Sequence, residues 1–191
     1  MRALVLNGFD ASSPTADLVR AGMGTKLRLC SCTEREFILR DEKIAHCTGC
    51  FGCWIKTPGE CVINDAGRTV TQEFIASDLA VFLTPVTFGG YAAELKKALD
   101  RLIPILSPFF IRIDGESHHK KRYEHYPRLA VIGILPAADP DAAAVFKTLV
   151  SRNSINMHSP SFAVETLVDG ADEAAIASKL DTVLRQVGIT P

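Results

Sequence analysis

Five short apolar runs, each followed by a segment of helical character, constrain the fold of this chain more than any other feature. We predict strands over residues 2–7, 26–31, 79–83, 128–135 and 161–168, with the second continuing or pairing through 36–39. Continuous apolar runs of this length suit strands that are buried on both faces. Their alternation with helices predicts an α/β fold, in which a parallel sheet carries helices on both faces.

The helices between these strands begin at recognisable signals. Ser13 as N-cap, followed by Pro14, starts the first helix, which we expect to end near Gly22 and Gly24. Asp139 and Pro140 repeat this signal later in the chain. Helices are expected over 69–75, 92–105, 140–150 and 172–187, and the polar stretch 114–127 predicts an irregular loop.

Length and charge limit the classes of function. A chain of 191 residues suits one domain, so we expect a single domain over 1–191 with the cysteine-rich segment 47–61 inserted after the second strand region. The formal net charge of −1 offers no basic surface for nucleic acid or for an anionic membrane. No targeting or membrane-spanning segment is recognised, so a cytoplasmic protein with small-molecule partners is expected.

Four of the 6 cysteines lie in one short segment with Cys-x2-Cys-x2-Cys-x7-Cys spacing: Cys47, Cys50, Cys53 and Cys61. Thiols stay reduced in the cytoplasm, so such a cluster indicates metal binding or catalysis before disulfides. Iron-sulfur clusters are held by four thiolates, and two successive Cys-x2-Cys steps suit them. Zinc sites more often use two separated Cys-x2-Cys pairs. A set of reduced cysteines without metal is the third alternative.

The loops after the first, third and fourth strands, residues 8–13, 84–90 and 136–139, should meet at the carboxyl edge of the sheet, where such folds bind ligands. Ser12, Ser13 and Thr15 lie between the end of the first strand and the first turn of the first helix. The free main-chain N–H groups at a helix N-terminus favour binding of a phosphate. Plain helix capping is the alternative, and it needs only Ser13. Asp10 would repel a phosphate if it pointed inward.

The loop at 84–90 reads Thr-Pro-Val-Thr-Phe-Gly-Gly. It combines a rigid turn, an aromatic ring and two glycines that let the main chain approach a flat ligand closely. Such a loop could present N–H donors to the pyrimidine edge of an isoalloxazine. It could equally be a tight turn between a strand and a helix.

Three segments in register resemble a known family. They are the cysteine segment 47–65, Thr-Pro-Val-x-Phe-Gly at 84–89 and Leu-Lys-x-x-x-Asp-Arg at 95–101. The chain resembles the flavodoxin-like NAD(P)H-dependent FMN reductases and, among them, the iron-sulfur flavoproteins. The resemblance implies a doubly wound sheet of five parallel strands in the order 2-1-3-4-5. It also implies FMN as cofactor, NAD(P)H as co-substrate and a homodimer or homotetramer in which a neighbouring subunit helps to close the site.

The resemblance also implies roles for particular residues. The FMN phosphate would lie on the first loop, and the flavin ring against the loop after the third strand. The predicted cofactor-binding residues are Gly8, Ser12, Ser13, Thr15, Pro85, Val86, Thr87, Phe88 and Gly89. Cys47, Cys50, Cys53 and Cys61 would hold a 4Fe-4S cluster. No catalytic side chain is named, because hydride transfer to a flavin requires no side-chain acid or base.

The resulting hypothesis is an FMN-dependent oxidoreductase that takes reducing equivalents from NAD(P)H. The electrons would pass to a flavin, a quinone or nitro-type acceptor, or a one-electron carrier such as a ferredoxin. The alternative is a non-enzymatic protein of the same fold that binds zinc through its cysteines or senses redox state through their thiols.

Overall fold

In the computed structural model, which describes residues 1–11 and 13–190, five parallel strands form the central sheet. They are β1 (Arg2–Asn7), β2 (Thr33–Ile38), β3 (Leu79–Thr87), β7 (Arg128–Leu135) and β8 (Phe162–Val168). Their order is β2-β1-β3-β7-β8, so the predicted 2-1-3-4-5 arrangement is confirmed. A short strand, β4 (Gly90–Tyr91), folds back antiparallel on the end of β3.

In the part of the chain that the structure describes, six α-helices pack around the sheet or connect its parts. They are α1 (Pro14–Leu29), α2 (Gly52–Ile55), α3 (Ala66–Ala76), α4 (Ala93–Asp100), α5 (Pro140–Asn156) and α6 (Glu173–Gln186). Single 3-10 turns occupy Leu39–Asp41 and Ile103–Ile105. The predicted N-caps are confirmed, since the Ser13 side chain accepts a hydrogen bond from the N–H of Ala16 and Asp139 from that of Ala142. Across the described residues, no helix has the length and apolar character required of a membrane span.

The described residues form two hydrophobic cores, which lie on opposite faces of the sheet. Along β1, Leu4 and Leu6 face the core that contains residues of α3, α4 and α5, whereas Ala3 and Val5 face the core formed with α1 and α6. Burial on both faces explains why the strand sequences are continuously apolar rather than alternating. The two cores fix the sheet, and with it the positions of the loops at its carboxyl edge.

The second predicted strand, residues 26–31, is wrong. These residues are mostly the last turn of α1, which passes through Gly22 and Gly24 without a break, and β2 begins only at Thr33. A Cβ at Gly22 would lie 2.8 Å from Cδ1 of Leu180 in α6, so this glycine permits close helix packing rather than ending the helix. Leu27 is fully buried in the core beside α6, which accounts for its apolar character.

The stretch predicted as an irregular loop over 114–127 is also partly wrong. It contributes the second strand of an antiparallel hairpin, β5 (Leu106–Ile113) with β6 (Glu116–Lys121). Asp114 and Gly115 form its turn with φ of 49° and 84°, the left-handed conformations that an Asp-Gly hairpin turn adopts. The hairpin lies apart from the main sheet, and both strands are largely exposed: β6 is mostly polar, whereas β5 carries several apolar side chains.

Candidate functional site

The loops after β1, β3 and β7 surround a cavity of about 760 Å³ at the carboxyl edge of the sheet, as predicted. Its volume falls within the range of roughly 300–1,000 Å³ that is usual for small-molecule sites. The strand order places the ends of β1 and β3 side by side, which is the switch point of a doubly wound sheet.

The turn after β3 forms one wall of the cavity. Phe88 and Gly89 both have left-handed backbone, with φ of 50° and 73°, and join β3 to β4 through the pair Thr87 and Gly90. A Cβ at Gly89 would come within 2.8 Å of Cγ1 of Val145, so this position tolerates only glycine without displacement. The turn therefore brings main chain close to whatever occupies the cavity.

The cavity wall is largely apolar and suits a flat aromatic ligand. Pro85, Val86, Ile134, Leu135 and Pro136 supply its hydrophobic surface. The Phe88 ring, which also lines the cavity, is fully exposed. An exposed ring beside an apolar cavity is a ready surface for stacking.

The charged side chains that line the cavity are all acidic. They are Asp10, Asp139 and Asp169, and no described lysine, arginine or histidine joins them. Helix α1 also offers few main-chain donors to an anion. Pro14 has no N–H, and the Ala16 N–H donates to Oγ of Ser13 at 3.1 Å. The Asp17 N–H donates to the Ser13 carbonyl at 2.9 Å. A phosphate at this end would thus depend on a small number of main-chain N–H groups and on the Ser13 hydroxyl.

Most, but not all, of the predicted cofactor-binding residues line this cavity. Ser13 and the five residues from Pro85 to Gly89 do so. Gly8 instead packs against Leu95 of α4, and Oγ1 of Thr15 accepts a hydrogen bond from the N–H of Gly170 at 2.8 Å. Ser12 lies outside the described residues.

Several wall residues were not named as cofactor-binding from the sequence. Phe9, Asp10 and Ala11 lie within the predicted first loop, and of these only Asp10 was considered, as a side chain that would repel a phosphate. Ile134 and Leu135 end a predicted strand, and their position next to an expected binding loop was their only signal. Asp169 follows β8 and lines the cavity because β8 lies next to β7 in the sheet. No local sequence pattern indicated this position.

The cysteine segment forms a second, smaller cavity of about 150 Å³. The four predicted ligands all line it: Cys47, Cys50, Cys53 and Cys61. Ile103, shortly after α4, also lines it. All four are free thiols. Within residues 1–11 and 13–190, no group of three or more His, Cys, Asp or Glu side chains is arranged to hold a metal ion.

The thiols of this segment differ in their surroundings. The N–H of Gly52 and the hydroxyl of Thr48 lower the pKa of the exposed Cys50, because both donate hydrogen bonds to its sulfur. Burial raises the pKa of Cys53, and the neighbouring Cys61 raises it further. Cys50 is therefore the thiol of this pair that ionises more readily.

Comparison with known proteins identifies the family. A sequence profile of the NADPH-dependent FMN reductases matches residues 1–133. The chain belongs to this family. The resemblance seen in the sequence motifs is thereby confirmed.

Two curated relatives of this FMN reductase chain are named iron-sulfur flavoproteins. The protein from Methanocaldococcus jannaschii is 36% identical over 80 residues, which are 41% of this chain and 40% of that protein. The protein from Archaeoglobus fulgidus is 33% identical over 66 residues, which are 35% of this chain and 29% of that protein. The chain thus matches less than half the length of these relatives.

Solved structures share the fold at low identity. The NAD(P)H:quinone oxidoreductase from Methanothermobacter marburgensis has a TM-score of 0.70 and 14% identity, with 98% of this chain and 95% of that chain covered. An FMN-dependent NADH-azoreductase from Bacillus anthracis, in complex with FMN, has a TM-score of 0.69 and 14% identity, with 98% of both chains covered. At this identity the comparison establishes the flavodoxin-like fold.

Proposed function

We propose that this protein is an FMN-dependent oxidoreductase that accepts reducing equivalents from NAD(P)H. The observation that carries the proposal is the apolar cavity at the switch point of the sheet, walled by the turn at Phe88 and Gly89, in a member of the FMN reductase family. Bound FMN would supply the chemistry, since a flavin accepts a hydride and returns electrons in pairs or singly.

The protein's own contribution is position and environment. Main chain at Thr87, Phe88 and Gly89 would face the flavin ring, and the apolar wall would exclude water from its edge. Ser13 and the start of α1 would hold the phosphate. The negative charges of the three acidic side chains at the cavity would lower the affinity for it. We assign no side-chain acid or base to hydride transfer.

An anaerobic spectral titration tests this activity. Protein loaded with FMN should lose its flavin absorbance after one equivalent of NADPH or NADH per flavin and regain it on exposure to an acceptor such as a quinone. The nucleotide that reacts faster identifies the preferred donor. A bound flavin that neither nucleotide reduces would contradict the proposal.

We further propose that Cys47, Cys50, Cys53 and Cys61 bind a 4Fe-4S cluster. All four line one small cavity, and the curated relatives matched here carry iron-sulfur in their names. Each thiolate of such a cluster binds a different iron atom, so the four sulfurs need not converge on a single ion. A cluster beside a flavin would pass electrons singly, so the acceptor would be a small molecule or a one-electron carrier.

Substitution of one ligand tests the cluster. After anaerobic reconstitution, Cys50→Ser should lose iron and the broad visible absorbance while retaining FMN. Cys30→Ser is the matched control, because Cys30 lies outside this cavity. Full iron content in Cys50→Ser would overturn the assignment. Stoichiometric zinc in protein that takes up no flavin would instead favour the non-enzymatic alternative.

Assembly into a homodimer or homotetramer is part of the proposal. Exposed Phe88 at the cavity and exposed Phe109 and Phe110 on the β5–β6 hairpin are apolar surfaces that a neighbouring subunit would cover. The molar mass in solution, measured by light scattering, tests this, and a monomer with full FMN affinity would contradict it.

A further inference from the structure

Arg101, the last residue of the motif Leu-Lys-x-x-x-Asp-Arg, does not line the flavin cavity, yet it is among the most buried side chains of the protein. Arg101 follows α4 and is 1% exposed. Its guanidinium forms a bidentate pair with Asp65, with Nη1 to Oδ2 and Nη2 to Oδ1 both at 2.8 Å. A buried charge is retained only where it is well paired, and this one is.

The same guanidinium joins the two ends of the cysteine segment. Nη1 donates to the carbonyl of Ala45 at 2.8 Å, two residues before Cys47. Nη2 donates to the carbonyl of Ile63 at 3.2 Å, two residues after Cys61. Asp65 completes the closure, because its Oδ2 accepts the N–H of Ala45 at 2.8 Å. One ion pair therefore holds the entrance and the exit of the four-cysteine loop together.

The helix that follows the segment is shaped to admit this arginine. A Cβ at Gly67, in the first turn of α3, would lie 3.0 Å from Cζ of Arg101. Thr71 of the same helix donates a hydrogen bond from Oγ1 to the Arg101 carbonyl at 3.2 Å. Glycine at position 67 thus permits the close approach that places the charge against the loop.

The guanidinium of Arg101 keeps its charge in this buried position and has one donor that no described residue accepts. Burial disfavours the guanidinium, but the hydrogen bonds that it donates to the Asp65 carboxylate and the proximity of Asp65 and Cys61 outweigh burial and raise the pKa of Arg101. Nε is buried and has no hydrogen-bond partner among the described residues. That N–H is therefore an unused buried donor on the guanidinium that closes the four-cysteine loop.

We propose that Arg101 is a positioning residue of the four-cysteine centre, closing the loop and placing a permanent buried positive charge beside the segments that flank Cys47 and Cys61. This inference rests on the proposed 4Fe-4S cluster. A one-electron reduction makes the cluster more negative, so a nearby positive charge stabilises the reduced form and raises the midpoint potential. Because the guanidinium is buried, solvent and salt screen it little.

Two substitutions of opposite charge separate this role from simple loop closure. Arg101→Met removes the positive charge, and Asp65→Asn removes the negative charge that partly cancels it. Both break the ion pair, so a purely structural role would affect them in the same direction. The proposal predicts opposite shifts of the cluster midpoint potential, down for Arg101→Met and up for Asp65→Asn.

The measurement is an anaerobic spectroelectrochemical titration of reconstituted protein. We expect Arg101→Met to weaken the preference for the reduced cluster about tenfold, which corresponds to about 59 mV for one electron. Arg101→Met leaves the largely buried Asp65 carboxylate without its cationic partner and could lose iron for that reason. In that case the potential of Asp65→Asn is compared with that of the double variant Asp65→Asn/Arg101→Met, which has no unpaired carboxylate at this position. The double variant should have the lower potential, and Arg101→Lys, which keeps the charge, should stay near wild type.

Arg68 provides the matched control. It also contacts the loop, donating from Nε to the Cys61 carbonyl at 2.7 Å, but it lies nearer the surface and pairs with Glu60. Arg68→Gln should leave the potential close to wild type. Equal shifts in Arg68→Gln and Arg101→Met, or shifts of the same sign in Arg101→Met and Asp65→Asn, would overturn the role of Arg101. Wild-type protein that takes up no iron would instead refute the cluster itself, and the inference with it.

Discussion

At the scale of single residues, Phe88 combines an exposed aromatic ring with a left-handed backbone, two features that folding alone does not favour. Phe88→Gly should leave stability unchanged or raise it by up to about 1 kcal/mol, because relief of left-handed strain outweighs the added chain entropy. FMN affinity should fall about two- to tenfold with the loss of stacking. Denaturant unfolding and FMN fluorescence titration measure the two effects.

Ser31→Gly is the control for this prediction. Ser31 has a similar φ of 54° but does not line the cavity, so its substitution should relieve strain without altering FMN affinity. An unchanged FMN affinity in Phe88→Gly would remove Phe88 from the flavin site.

Asp10 is a second residue that we expect to influence ligand affinity, here through its charge. It lines the cavity near the start of α1, where the FMN phosphate is expected. Two unit charges roughly 4 Å apart repel by about 1 kcal/mol in water. Asp10→Asn should therefore strengthen FMN binding about fivefold at low salt and leave riboflavin binding unchanged. Asp114→Asn, in the exposed hairpin turn, should change neither affinity, and equal gains for both flavins in Asp10→Asn would place the phosphate elsewhere.

At the scale of elements, the β5–β6 hairpin is fastened to the end of α5 through His158. Nε2 of His158 donates to the carbonyl of His119 at 2.7 Å, so the neutral ring carries its proton on Nε2. Burial lowers the pKa of His158 from its ordinary value of 6.5, with nearby Lys121 adding to the effect. The unfolded chain therefore takes up the proton first as the pH falls, and this histidine's stabilising contribution is lost progressively below about pH 6.5.

Unfolding by urea at about pH 7.5 and about pH 5.5 measures this loss. His158→Gln should reduce the difference in stability between the two conditions. Substitution of the exposed His46 by Gln should preserve it. A difference that is the same in His158→Gln as in wild type would contradict the assigned protonation.

The elements also show which parts of the fold the sequence could predict. Strands β1, β3, β7 and β8 and the caps at Ser13 and Asp139 were found because their signals are local, a continuous apolar run or a capping side chain before proline. The extension of α1 was missed because it depends on Gly22 meeting Leu180, far away in sequence. In the site, the turn at 85–89 and the cysteine loop were found from their own spacing. Asp169 and Ile134 required knowledge of which strands are neighbours.

At the scale of the whole molecule, the two cores fix the five strands of the sheet and thereby the loops that line the cavity, so the cavity is formed by the fold itself. The larger cavity and the cysteine cavity share no described lining residue, so each can be perturbed independently. The boundary of the domain and the number of subunits remain predictions. The central claim is that FMN binds in the larger cavity.

The most direct test is an equilibrium titration of flavin-free protein with FMN, followed by quenching of flavin fluorescence. Wild-type protein should bind one FMN per chain. Gly89→Ala should bind much more weakly, because its Cβ would lie 2.8 Å from Cγ1 of Val145 and displace the turn, whereas Gly115→Ala, with a similar positive φ and no atom within 4 Å, should match wild type. Failure of the wild-type protein to bind FMN, or equal affinity in Gly89→Ala, would contradict the account.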